Sequence, residues 1–211
     1  MTLSLKTIGP LALFAILFPA ASAMTQDATD PIQIIKETTN TLYELVENNR
    51  EDFVEDIEPL RKELRDVLLP RVVTIYSGRL VLGRSSRAMD PEKIQEFSEA
   101  LSELLIRQYA DGLLEFQSRD QVRVLPLAGD NSDRMTRVRT RVGLESGEEA
   151  PVDYVFRKTD EGWKMFDVIV EGISYVATFR NQIGEQIRQQ GFDQTLDELK
   201  RGDLQVRLED G

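Results

Sequence analysis

Trp163 to Phe179 reads W-K-M-F-D-V-I-V-E-G-I-S-Y-V-A-T-F, and the fold turns on a change of period inside it. The first half alternates: Phe166, Val168 and Val170 share one side of an extended chain, and Met165, Asp167 and Ile169 share the other. Beyond Gly172, residues Ile173, Val176, Ala177, Ile183 and Ile187 recur at the spacing of an amphipathic helix. A strand therefore runs into a helix at Glu171-Gly172. Two carboxylates, Asp167 and Glu171, sit in this otherwise apolar run and need a role.

Working back from this stretch, the alternation persists. Val152, Tyr154 and Phe156 alternate with Asp153 and Arg157. Before them Thr136, Val138, Thr140, Val142 and Leu144 alternate with Arg137, Arg139 and Arg141, and Val122 with Val124 begins the series. Turn-forming residues at Gly129–Asp133, Ser146–Glu149 and Asp160–Gly162 separate these segments. Four short strands joined by tight turns make an antiparallel meander. If Arg157 faces Trp163 across a five-residue loop, Tyr154 and Phe156 share an inward apolar face with Phe166, Val168 and Val170. Asp167 then points outward. Glu171 lies where a carboxylate can accept hydrogen bonds from free N–H groups at the helix start.

Further toward the N-terminus the period is helical. Asp30-Pro31 opens a helix carrying Ile34, Ile35, Thr38, Leu42, Leu45 and Val46 to about residue 48. Glu58-Pro59 opens a shorter one that Pro70 stops. Residues 71–83 suggest short helical pieces broken at Ser77-Gly78, and Asp90-Pro91 starts a long helix to about Leu113. After the sheet a helix runs to Gly191, and Phe192, Leu196 and Leu199 mark a last one. The expected fold is α+β: a four-stranded antiparallel sheet with helices packed over one face.

Lys6, the apolar run Ile8–Ala20 and the closing Ala21-Ser22-Ala23 have the form of a secretory leader, so residues 1–23 are expected to be a cleaved signal peptide. Residues 24–202 then form one domain, and 203–211 a flexible tail. The chain carries −11, and losing a leader whose single charge is Lys6 makes it more negative still. Bulk charge of that sign disfavours nucleic acid and anionic membrane surfaces. There is no histidine and no cysteine. Disulfides, His/Cys metal sites and Ser-His-Asp or Cys-His catalysis are thereby excluded. A small enzyme using Asp167 as general base in an apolar pocket, with Tyr154 as proton donor, is the remaining catalytic alternative.

Several strings resemble one family. They are V-L-L-P-R from Val67, L-G-R at Leu82–Arg84, L-L-I-R-Q-Y-A-D-G-L-L-E-F from Leu104, P-V-D-Y from Pro151 and D-V-I-V-E-G-I-S-Y-V from Asp167. In this order, across about 30 to 200, they are similar to the MlaC or toluene-tolerance family of periplasmic phospholipid-binding proteins. Relatives carry an aromatic residue near Ser86 and an aromatic-rich segment near Val72 to Ile75, where this chain has Ser85-Ser86 and Val-Val-Thr-Ile. The resemblance implies a monomeric carrier without cofactor or metal. Such a carrier moves glycerophospholipid between an outer-membrane lipoprotein–porin complex and an inner-membrane ABC transporter with an MCE-domain subunit. It also implies acyl chains held between sheet and helices. Tyr154, Phe156, Phe166, Val168 and Val170 are then the expected lining from the sheet, with Ile173 and Ala177 from the following helix. Leu101, Leu105 and Tyr109 would close the pocket from above.

Overall fold

The computed structural model describes residues 30–129, 131–144, 146–204 and 206. The expected leader, 1–23, lies outside the described residues. Among the described residues, six α-helices and five strands follow in the order α1 (Pro31–Glu55), α2 (Glu58–Leu68), α3 (Thr74–Leu82), α4 (Pro91–Tyr109), β1 (Val122–Val124), β2 (Met135–Gly143), β3 (Glu149–Thr159), β4 (Gly162–Val170), β5 (Ile173–Ser174), α5 (Tyr175–Gln190) and α6 (Phe192–Arg201). The fold is α+β, with one antiparallel sheet in the sequential order β1 to β5.

The sheet has five strands rather than four. The fifth is Ile173–Ser174, which pairs back on Val170 and Ile169 across Glu171-Gly172. Both turn residues have positive φ, 52° and 88°, which is the signature of the tightest antiparallel hairpin. Glycine meets that demand freely, whereas glutamate is uncommon there, so the local sequence carries little hairpin signal. Ile173 accordingly belongs to a strand, and the helix starts two residues later than its apolar period suggests.

The register of β3 with β4 also differs. Thr159 pairs with Gly162 around a two-residue loop, and Arg157 faces Lys164 rather than Trp163. Tyr154 nevertheless pairs with Val168, because the ladder shifts by one between Val155 and Phe156 and leaves Phe166 as an extra residue on β4. Met165 therefore takes the place beside Phe156. The bulge breaks the simple alternation and frees Phe166 to face elsewhere.

Three buried clusters hold the chain together. One is built mainly from helices, with Phe97 and Leu101 of α4 against Val81 of α3, Phe179 and Ile183 of α5 and Leu199 of α6. A second joins Val46 and Phe53 of α1 to Leu60 and Leu64 of α2 and Ile106 of α4. The third sets Ile35 of α1 on Val138 and Phe156 of the sheet. Each fully buried leucine, isoleucine or phenylalanine contributes about 1.5–3 kcal/mol of apolar burial.

Other boundaries shift for local reasons. Helix α1 runs to Glu55, beyond the expected end near residue 48, by kinking at Asn49 (φ −133°, ψ 17°). The Asn49 Nδ2 donates to the Leu45 carbonyl at 2.8 Å. Helix α3 continues through Ser77-Gly78, and Gly78 is there for closeness, since a Cβ on it would lie 2.0 Å from the Ser98 Oγ of α4. The expected tail is anchored at its start. Leu204 and Val206 are buried in the helical cluster, and Gln108 Nε2 donates to the Val206 carbonyl at 2.6 Å. Residues 207–211 lie outside the described residues.

Candidate functional site

Two apolar cavities lie along the seams between these clusters. The first, about 110 Å³, is roofed by α1 through Ile34, Ile35 and Leu42 and floored by Tyr154, Phe156 and Met165 of the sheet. Thr38, Thr39, Leu68 and Arg71 complete it. The second, about 150 Å³, lies where α3, α4 and α5 meet β4. Val81, Leu101, Leu105 and Phe179 face Phe166 and Val168 across it. Met165 lines both, so its flexible thioether chain is a partition between the two. Outside the second cavity, Val72 and Thr74 form one wall of a surface groove of about 300 Å³ whose far side is the β3–β4 turn.

Of the residues singled out in the sequence, Tyr154 and Phe156 line the first cavity, and Phe166, Val168, Leu101 and Leu105 line the second. The bulge explains why Phe166 parts from Tyr154. Its ring meets Tyr76 edge-on, with centroids 5.2 Å apart, and its carbonyl accepts from Ser77 Oγ at 2.8 Å. Val170 and Ile173 pair with each other in the β4–β5 hairpin and lie outside both linings. Ala177 is exposed, because α5 turns Val176, Phe179 and Ile183 inward instead. Tyr109 stands behind the second cavity, its ring 5.9 Å from that of Tyr175. The sequence stripe of α1 contained Ile34, Ile35, Thr38 and Leu42, but helical spacing alone does not distinguish a cavity roof from core. Arg71 had no signal beyond its place in V-L-L-P-R.

The electrostatics of the walls are those of a place for hydrocarbon. Burial pushes the Tyr154 hydroxyl up to about 12. Burial also raises the Tyr175 hydroxyl, with the neighbouring Tyr109 and Tyr154 adding to it. Both are therefore neutral near pH 7. The two acids of the opening stretch have separate tasks. Asp167 Oδ1 accepts from the Val176 N–H at 3.0 Å, and its Oδ2 accepts from Ser174 Oγ at 2.6 Å. Ser174 is the N-cap of α5 and accepts in turn from the Ala177 N–H. The capping assigned to Glu171 thus belongs to Asp167 and Ser174, while Glu171 is exposed in the hairpin turn. Asp167 shares its sheet face with Arg137 and Asp153 by register, but it does not point out to solvent as expected: it is half-buried, lines the second cavity, and gives its carboxylate to α5. No cluster of three or more acids able to hold a metal occurs among the described residues, nor a helix long and apolar enough to cross a membrane.

An α+β fold that keeps unfilled apolar space between a meander sheet and its helices, with one cation at the rim of the first cavity and the acid lining the second spent on a helix cap, suits a binding protein for a hydrophobic ligand. A profile of the MlaC protein family matches residues 36–201, and the chain belongs to that family. It is 28% identical over 185 residues to the toluene tolerance protein ttg2D of Pseudomonas putida, covering 86% of this chain and 85% of that one. It is 25% identical over 180 residues to the intermembrane phospholipid transport system binding protein MlaC of Haemophilus influenzae, with 82% of each covered. The solved phospholipid-binding protein of Ralstonia solanacearum, in complex with a phospholipid, superposes with a TM-score of 0.73 at 21% identity. That match covers 83% of this chain and 97% of the other, and establishes a common fold.

Proposed function

We propose that this protein is a periplasmic phospholipid carrier that takes its cargo between an outer-membrane lipoprotein–porin complex and an inner-membrane ABC transporter with an MCE-domain subunit. The observation that carries the proposal is the pair of apolar cavities between sheet and helices in a chain of the MlaC family. Acyl chains enter these cavities and the head group stays near solvent. Tyr154, Phe156, Phe166, Val168, Leu101 and Leu105 are the proposed contacts, with Val170, Ile173 and Tyr109 supporting the wall. Burying methylenes is worth about 0.8 kcal/mol each, so a sixteen-carbon chain supplies roughly 13 kcal/mol gross, which competes with a bilayer only where the pocket is deep and dry. Both cavities are smaller than the ~300–1,000 Å³ of a typical ligand pocket, so loading has to widen them.

The protein works as a monomer, without cofactor, and runs no reaction. Asp167 is the residue that would have been the base, and both its oxygens already accept hydrogen bonds at the start of α5. Protein purified from a periplasm is expected to carry phospholipid visible by native mass spectrometry. A preparation that is consistently empty, and stays empty after incubation with phospholipid vesicles, counts decisively against the carrier.

A further inference from the structure

Among the side chains lining the first cavity there is one charge, and it is positive. Arg71 follows Pro70 at the end of α2, half-buried beside an exposed neighbour, which places it at the rim. Its Nη1 donates to the Val67 carbonyl, and no carboxylate lies within ion-pair distance of it among the described residues. That leaves most of a five-donor guanidinium fork without a protein acceptor. Arg65, by contrast, is held by Glu103 at 2.6 Å, and Arg50 by the Leu114 and Phe116 carbonyls.

A second side chain at the same cavity is also left over. A threonine inside a helix ordinarily turns its hydroxyl onto the carbonyl four residues back. Thr41 does so, donating to the Glu37 carbonyl at 2.9 Å. Thr38, one turn earlier on α1, does not: its Oγ1 is buried and no protein group bonds it. Thr38 and Thr39 line the cavity with Arg71. A buried hydroxyl without a partner costs on the order of 1–3 kcal/mol unless a ligand satisfies it.

We infer that Arg71 and Thr38 form a seat for the anionic oxygens of an amphiphile whose tail occupies the apolar part of the same cavity. Phosphate and carboxylate oxygens share the chemistry that a guanidinium fork recognises. On the carrier function proposed above, on which this inference rests, the group is the phosphate of a glycerophospholipid. The seat puts the polar end at the rim by Arg71 and sends one acyl chain inward past Ile35 and Phe156 toward Met165.

The test loads delipidated protein from vesicles containing phosphatidylglycerol, oleate and a diacylglycerol with the same acyl chains, then reads occupancy by native mass spectrometry. Wild type takes phosphatidylglycerol over diacylglycerol by about tenfold or more, as expected for a charge-assisted site. Arg71→Gln lowers phosphatidylglycerol occupancy about tenfold and leaves diacylglycerol unchanged. Arg71→Lys, which keeps the charge but not the fork, falls between, and Thr38→Val weakens retention a few-fold. Lys36→Gln, away from the cavity, matches wild type. An Arg71→Gln protein with the wild-type lipid ratio overturns the seat, as does one that loses both lipids equally. Preferential uptake of oleate over phosphatidylglycerol overturns the phosphate assignment. Inorganic phosphate bound calorimetrically through Arg71 by a protein that takes up phosphatidylglycerol no better than diacylglycerol overturns the amphiphile. Wild type that takes up none of the lipids overturns the carrier function and the seat together.

Discussion

Glu171 holds φ at 52°, where a side chain strains the backbone and asparagine or glycine does not. Its own side chain is exposed, so Glu171→Asn removes strain without removing a contact. Equilibrium urea unfolding should show a gain of about 0.5–1 kcal/mol, and a loss would mean that the carboxylate has a partner in solution. Asp167 lies four residues away and behaves oppositely. Asp167→Ala strips the α5 start of two hydrogen bonds and should cost about 1–2 kcal/mol, while phospholipid is still retained. Asp167 also lines the second cavity, so a folded Asp167→Ala protein that lost its cargo would show that it holds ligand as well as the helix start. Tyr154 sets an alkaline limit. A phenol near 10 in the unfolded chain and about 12 in the fold leaves stability whole below pH 10, where both states are protonated. As pH rises from 10 to 12 the unfolded chain ionises first, and about 2–3 kcal/mol is lost at 1.36 per unit. Tyr154→Phe should remove that part of the alkaline decline, and identical slopes in the two proteins would show that Tyr154 is not the group responsible.

Helices α3 and α4 touch through the bare Gly78, where an added Cβ would meet Ser98 Oγ at 2.0 Å and its Cβ at 2.9 Å. Gly78→Ala must push the helices apart and should cost about 1–3 kcal/mol despite the better helix propensity of alanine. Ser98→Gly in the same chain should return much of it, and strict additivity of the two changes would rule out the contact as the cause. This pair also shows where sequence reading reaches its limit. Ser-Gly in a short apolar run reads as a break, because the reason for the glycine is another helix twenty residues away. The long elements were legible: Asp30-Pro31 does cap α1, with Asp30 accepting from the Ile32 N–H at 2.9 Å, and the meander follows its alternation. What alternation could not carry was the extra residue at Phe166, since a bulge shifts one strand without changing its composition. The cavity residues were half legible for the same reason. Tyr154, Phe156 and Val168 follow from strand parity, whereas Arg71 and Met165 matter only through what the tertiary fold sets beside them.

At the scale of the molecule, three separate clusters replace one continuous core, and the cavities occupy the seams between them. The sheet meets α1 through a small apolar set, Ile35 with Val138 and Phe156, and meets the helical core at β4. Unfilled seams forgo the dispersion contacts that close packing would supply, so the cargo is also a structural component. A ligand bound only by the native state adds about 2.7 kcal/mol at a free concentration a hundredfold above its Kd. For a chain of this size that is a rise in Tm of roughly 5–10 °C. Delipidated protein should therefore melt lower by about that amount. Its amide hydrogens should exchange faster along the first half of α1, along 72–82 and along β4. The Leu60–Leu64 contact of α2 with α1 lies away from both cavities and should keep its protection. A uniform loss across all three clusters would mean that lipid stabilises the whole fold without joining the sheet to the helices. An unchanged Tm would mean that the seams stay closed and the cargo sits elsewhere.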